Sequence, residues 1–126
     1  MPKVEKDMDN KEFSKQLEER TKKFAIAIIR LSSLLPDSPE GRIVRRQITK
    51  SGTSVGANCR EANRSRSKAD FSSRIRICES EGSETSYWLE IIEELNWLKK
   101  EKTNPVLVES NELLAIFTSI GKSLKN

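Results

Sequence analysis

The chain has 126 residues, of which 35% are hydrophobic and 33% are charged, and its formal net charge is +4. It contains no histidine, which excludes the usual general base at neutral pH as well as Ser-His, Cys-His and Glu-x-x-His sites. No apolar run approaches the roughly 20 residues that cross a bilayer, and the first ten residues lack the apolar core of a signal peptide. We therefore expect a cytoplasmic protein of a single domain.

The first predicted helix begins at Asp9 or Asn10, because either side chain can cap a helix. We expect residues 1–9 to form a disordered tail and residues 10–126 to form the one folded domain. Mostly apolar side chains recur along this helix at steps of four and three, which indicates one buried stripe: Phe13, Leu17, Thr21, Phe24, Ile28, Leu31 and Leu35.

A Pro-Asp-Ser-Pro turn over residues 36–39 ends the first helix, because a residue that precedes proline avoids the α region. Ser38 and Pro39 provide the N-cap and first residue of a second helix, which we end near Arg64 and expect to run antiparallel. Its stripe changes from large aliphatic residues to small and polar ones over residues 51–62. Such residues lower helix propensity, so this stretch indicates close packing between helices rather than an active site.

The third predicted helix begins at Lys68, where Ser67 and Asp70 form a capping box. Its apolar seam runs towards the polar residues 100–102, which makes it the longest helix at about 50 Å. An Asn-Pro pair at positions 104 and 105 then caps a fourth helix of about 30 Å. The pattern predicts an all-α, up-down-up-down antiparallel four-helix bundle with a long third helix.

Extra apolar residues occur outside the seam in the second half of the third helix. A helix with more than one apolar stripe must be covered on more than one side. Helices one and four could cover them, but we favour a subunit interface in a homo-oligomer. The predicted interface residues are Trp88, Ile91, Leu95 and Leu98.

Basic residues dominate the middle of the chain. Residues 40–76 contain ten basic and three acidic residues, a balance of +7. The basic residues nearest the second turn predict a surface that binds the phosphates of nucleic acid. They are Arg60, Arg64, Arg66, Lys68, Arg74 and Arg76. We expect no specific base readout from these basic residues. The alternatives are a solvated surface, or a homo-oligomeric scaffold that docks an acidic protein without binding nucleic acid.

Polar residues within the two central helices predict a structural layer that fixes helix register: Ser51, Asn58, Glu61, Glu81 and Glu84. Without imidazole ligands, the glutamates are not expected to bind a metal. Cys59 and Cys78 fall out of register across the predicted turn, so we expect reduced thiols. The sequence thus predicts no catalytic residue, no metal, no cofactor and no small-molecule substrate, and we do not expect an enzyme.

Residues 45–95 closely resemble the bacterial four-helix bundle protein family. The matching segments are SGTSVGAN at 51–58, a Glu-Ala pair at 61–62, an S-x-x-D-F cap at 67–71 and S-E-T-x-Y-W-L at 83–89. Members are encoded in intervening sequences of 23S ribosomal RNA genes, and relatives serve as accessory variability proteins of diversity-generating retroelements. The segments match the broad family rather than the retroelement branch in particular.

The resemblance implies an all-α bundle that often assembles into a ring, commonly a pentamer, with no family catalytic residues. In the retroelement branch, the relative looks like a basic, nucleic-acid-binding partner of a reverse transcriptase. The partners that the resemblance implies are therefore further copies of the chain, nucleic acid and, in that branch, a reverse transcriptase.

Overall fold

A computed structural model describes the backbone of residues 3–125 and the side chains of residues 10–125. The backbone forms four helices, α1 (Lys3–Ser32), α2 (Pro39–Asn63), α3 (Lys68–Glu94) and α4 (Lys100–Leu124). Each helix packs against the next one in the chain, and α4 also contacts α1. This arrangement confirms the predicted all-α four-helix bundle. None of the helices within residues 3–125 is long and apolar enough to span a membrane.

The two N-caps at the starts of α2 and α3 form as predicted. Ser38 accepts a hydrogen bond from the backbone N–H of Gly41 at 3.0 Å, and Pro39 is the first helical residue. Ser67 accepts the equivalent bond from the N–H of Asp70 at 3.0 Å. These hydroxyls satisfy backbone donors that the first helical turn leaves free, so the sequence determines both helix starts locally.

The start of α1 differs from the prediction. The helix begins at Lys3 rather than at Asp9 or Asn10. No glycine or proline interrupts the sequence between positions 3 and 35, and lysine and glutamate are good helix formers. The disorder predicted for residues 1–9 stays a prediction, because the side chains of these residues lie outside the described part of the chain.

The turn between α3 and α4 also differs from the prediction, because α3 ends at Glu94 and does not reach residue 100. Asn96 has a left-handed backbone with φ of 54°. Its N–H donates to the carbonyl of Glu93 at 3.1 Å, and the N–H of Trp97 donates to the carbonyl of Ile92 at 3.4 Å. This pair of bonds is the Schellman pattern, in which one left-handed residue ends a helix.

The helix lengths change accordingly. α3 has 27 residues, or about 40 Å, so it is longer than α2 and α4 but shorter than α1 with 30. α4 begins at Lys100, and the predicted cap at positions 104 and 105 lies inside it. Pro105 therefore removes one backbone hydrogen bond from α4 instead of starting the helix.

The core is built from side chains of all four helices. On α1 every stripe position is buried except Phe13, which is 45% exposed. On α2 the whole stripe is buried, including its small residues. The largest fully buried side chains come from all four helices, and they include Ile28, Ile48, Leu89, Ile92, Leu113 and Phe117.

The glycines of α2 allow the backbone of α2 to approach α1 closely. A Cβ atom at Gly52 would lie 2.7 Å from Cγ2 of Ile28, and one at Gly56 would lie 3.1 Å from the carbonyl oxygen of Thr21. Carbon atoms pack favourably at about 3.5–4.0 Å, so position 52 has no room for a side chain. The small-residue stretch is thus an element of close helix packing, as its composition predicts.

α1 and α4 approach each other least of the four neighbouring pairs. Arg20 of α1 joins them, because its guanidinium donates to both carboxylate oxygens of Glu109 at 2.7 Å and lies 2.8 Å from Glu112. Hydrogen bonds to Glu109 and then to Glu112 hold the pKa of Arg20 above its ordinary value. The two helices are therefore connected by charged groups in addition to the apolar core.

Candidate functional site

Four of the six predicted basic residues lie together at one end of the bundle. Arg60 is in the last turn of α2, Arg64 is its C-cap, Arg66 lies in the connecting turn, and Lys68 is the first residue of α3. All four side chains are exposed. We call this group the basic turn, and the end of the bundle that carries it the basic end.

Charge pairing around the basic turn is sparse. Arg60 Nε lies 3.3 Å from a carboxylate oxygen of Glu18 on α1. Among the described residues, no carboxylate lies within ion-pair distance of Arg64, Arg66 or Lys68. The positive charge of these three side chains is therefore available to an anion from solution.

Arg74 and Arg76 lie apart from the basic turn, on different flanks of α3. Arg74 is half-buried and donates to the side-chain oxygen of Asn58 at 3.1 Å, so it faces α2. Arg76 is exposed beside Leu114 and Thr118 of α4. Residues two apart on a helix do not share a face, which is why the structure separates this pair.

Two lysines that the sequence prediction did not include lie close to the basic turn. Lys11 and Lys15 of α1 line the same groove as Ser65 and Ser67, and the groove has a volume of about 610 Å³. Asn63, the last residue of α2, holds α1 against this turn by donating to the carbonyl of Ser14 at 3.1 Å. The lysines are about fifty positions away in the sequence, and only the antiparallel packing of α1 on α2 brings them here.

The predicted polar layer is only partly internal. Ser51 is buried, and its hydroxyl lies 2.9 Å from that of Thr85 on α3. Asn58 is half-buried and donates to both the carbonyl and the hydroxyl of Ser54 at 2.9 Å. Glu84 is half-buried and accepts from the indole N–H of Trp88 at 3.1 Å.

The other two members of that prediction, like Glu84, form no side-chain hydrogen bond between α2 and α3 among the described residues. Glu81 is half-buried, and its backbone carbonyl accepts from Thr85 at 2.7 Å. Glu61 differs from the prediction, because its side chain is exposed and has no hydrogen-bond partner among the described residues. The buried stripe of α2 passes through Cys59 and Ala62, so Glu61 points to another side.

Sequence reasoning missed a second buried hydroxyl pair. Ser86 of α3 and Ser110 of α4 lie 2.7 Å apart, and both are buried. Ser110 is one of the buried residues of α4. The pair satisfies two polar groups that would otherwise lack partners in the core.

The predicted interface residues are covered to different extents. Trp88 and Leu98 are half-buried and pack against the core, and Ile91 is half-buried as well. Leu95 is 51% exposed at the C-terminal end of α3. Other large apolar side chains are exposed on all four helices: Phe13, Ile26, Ile29, Ile43, Ile77, Tyr87 and Val108.

The two cysteines are free and buried. Desolvation raises the pKa of Cys59 above its ordinary value and raises that of Cys78 to about 12. Both groups are therefore protonated thiols at neutral pH, which makes them poor nucleophiles and poor metal ligands. Within the described residues, no group of three or more His, Cys, Asp or Glu side chains could hold a metal ion.

Comparison with known proteins agrees with this architecture. The family model described as "23S rRNA-intervening sequence protein" matches residues 14–119. A crystal structure from Bacteroides thetaiotaomicron VPI-5482, described as a protein with unknown function from the S23 ribosomal protein family, has 33% sequence identity to the chain. That match has a TM-score of 0.77 and covers 84% of this chain and 98% of the other. No curated protein matches the sequence.

Proposed function

The chain belongs to the family of 23S rRNA-intervening sequence proteins, and from this premise we propose that it is a non-enzymatic, homo-oligomeric protein that binds nucleic acid. The bound element is the phosphate backbone of RNA or DNA, and the binding surface is the basic turn. The observation that carries this proposal is the exposure of Arg64, Arg66 and Lys68 without carboxylate partners among the described residues.

The chemistry of the basic turn suits a phosphate backbone better than a small anion. Its exposed cations extend from the end of α2 into the start of α3, and Lys11 and Lys15 continue them onto α1. Positive charge that is spread in this way releases counterions from a polyanion. This release supplies most of the affinity when a protein binds nucleic acid without regard to its sequence. The family description favours a structured RNA, such as a ribosomal intervening sequence. In the retroelement branch, a reverse transcriptase would be a further partner.

Binding of a structured RNA hairpin by the purified protein tests this proposal. We expect a shifted band at about 50 mM salt that is lost at a few hundred millimolar, because phosphate contacts weaken steeply with salt. Protein that retains nucleic acid on purification should also show a raised ratio of absorbance at 260 nm to that at 280 nm. The absence of any shift at low salt would overturn the proposal.

A second candidate function is a homo-oligomeric interaction scaffold that does not bind nucleic acid. The exposed apolar side chains on all four helices favour it, because association would remove their apolar surface from water. In this alternative, the basic turn docks an acidic surface of a partner protein or of a neighbouring subunit. Salt-resistant assembly without RNA binding would select it.

The homo-oligomer itself is proposed to form through the end of α3, with five copies as the expected number. Leu95→Glu places a charge at the most exposed of the predicted interface positions, so we expect the mass in solution to fall towards that of one chain. Leu95→Met keeps the position apolar and should keep the wild-type mass. Light scattering after gel filtration measures both variants. An unchanged mass for Leu95→Glu would place the interface elsewhere.

A further inference from the structure

Two cavities adjoin at the basic end of the bundle. The first is the polar groove of about 610 Å³ between α1 and the α2–α3 turn. The second is a pocket of about 280 Å³ that reaches from α1 to the end of α4. They share four lining residues, Asn10, Ser14, Asn63 and Phe71, so a ligand can occupy both at once.

The groove suits an anionic group. Lys11 and Lys15 line its α1 side, and Ser65 and Ser67 line the other. Glu18 and Glu19 also line it, and the carboxylate of Glu18 accepts from Asn63 at 3.1 Å and lies 3.3 Å from Arg60. The two lysines balance the two glutamates, and the exposed cations of the adjoining basic turn make the potential at this end of the bundle positive.

The adjoining pocket suits a flat apolar group. Its aliphatic lining residues are Leu17, Ile75, Ile120 and Leu124. Two aromatic rings also line it, Phe71, which is half-buried, and Phe13, which is 45% exposed. Phe13 belongs to the buried stripe of α1 by sequence, yet no helix of the bundle covers it fully. The pocket therefore presents aromatic and aliphatic surface beside a polar groove, as sites that stack a base do.

Building on the proposed function, we propose that the basic end captures an unpaired nucleotide of a nucleic-acid strand. The base enters the pocket against Phe13 and Phe71, and its phosphate lies in the groove against Lys11 and Lys15. A base within a duplex is stacked and paired, so it cannot enter the pocket without being extruded. The site would thus make the protein prefer single strands, bulges and loops over a continuous duplex.

Anisotropy titrations with two fluorescent RNA dodecamers test this proposal. One strand carries all its bases and the other is abasic at every position, so both present the same phosphates. The wild-type full-length chain should bind the intact strand about tenfold more tightly than the abasic one, since one stacked base contributes on the order of a tenfold change or more. Lys11→Glu with Lys15→Glu should weaken the binding of both strands.

Aromatic variants assign the effect to the pocket. Phe13→Ala should lower affinity for the intact strand about tenfold and leave affinity for the abasic strand unchanged. Phe71→Leu keeps the half-buried position apolar and should have the same selective effect. Tyr87→Ala is the control, because it removes an exposed aromatic ring that lies on α3 about 24 Å from Phe71. Circular dichroism confirms that each variant is folded.

The outcomes separate this inference from the proposed function. Equal, salt-sensitive affinity for both strands would overturn the nucleotide pocket and leave the phosphate-binding function intact. No binding of either strand would overturn both. An acidic peptide with one tryptophan that binds more tightly than the intact strand would assign the pocket to a protein side chain, and would also overturn the proposal.

Discussion

Gly52→Ala is expected to lower the free energy of unfolding by up to about 2 kcal/mol. The added methyl group would lie 2.7 and 2.8 Å from the two γ carbons of Ile28. Ile28 is fully buried and branched at Cβ, so it has no free rotamer by which to move away. Overpacking of this kind costs about 1–3 kcal/mol, while alanine favours a helix over glycine by about 1 kcal/mol. The clash is therefore expected to outweigh the gain in helix propensity.

Gly82→Ala is the matched control for that substitution. It introduces the same methyl group at a buried glycine of α3, but the nearest atoms, on Leu114, would be 3.9 Å away. This is an ordinary contact, so the gain in helix propensity should raise the free energy of unfolding by up to about 1 kcal/mol. Urea denaturation measures both variants. Equal effects of the same sign would contradict the close approach of α1 and α2 at position 52.

Arg64→Glu with Arg66→Glu is expected to weaken binding of a structured RNA on the order of 10- to 100-fold at 50 mM salt. Each substitution removes a phosphate contact and adds a charge that repels the strand. Both side chains are exposed, and neither forms an ion pair with another described residue, so the bundle should remain folded. Anisotropy with a labelled hairpin measures the affinity, and thermal denaturation checks the fold.

Lys99→Glu with Lys100→Glu provides the matched control for charge. It makes the same change in net charge, but at the α3–α4 turn, which the antiparallel topology places at the opposite end of the bundle. Both lysines are exposed, as the two arginines are. We expect RNA affinity within about threefold of wild type, since separations beyond the Debye length are largely screened. Equal losses for the two double variants would show that net charge, rather than the basic turn, determines binding.

Local signals in the sequence were sufficient for most of the fold. The three–four periodicity identified the buried side of each helix, and the hydroxyls of Ser38 and Ser67 fixed two helix starts, because a cap depends on only a few neighbouring residues. The end of α3 was missed, since the apolar pattern continues past Glu94. There the left-handed backbone of Asn96 ends the helix, and periodicity does not report the conformation of a single residue.

The candidate site was less accessible from sequence than the fold. The basic turn is contiguous in the chain, so charge counting found it. Lys11, Lys15 and Phe13 reach the same end only through the packing of α1, and no local pattern connects them to residues 60–68. Arg74 and Arg76 show the reverse case, since neighbours in sequence face different helices. Sequence reasoning therefore identified the charge of the site but not its cavities.

The dependence of RNA affinity on salt concentration tests the central claim most directly. For the wild-type protein and a duplex hairpin, the logarithm of the association constant should fall linearly with the logarithm of salt concentration. Contacts from Arg60, Arg64, Arg66 and Lys68 predict a slope of about −3 to −4 for each bound subunit. A slope near zero, or no binding at 50 mM salt, would contradict the assignment of the basic turn as a phosphate-binding surface.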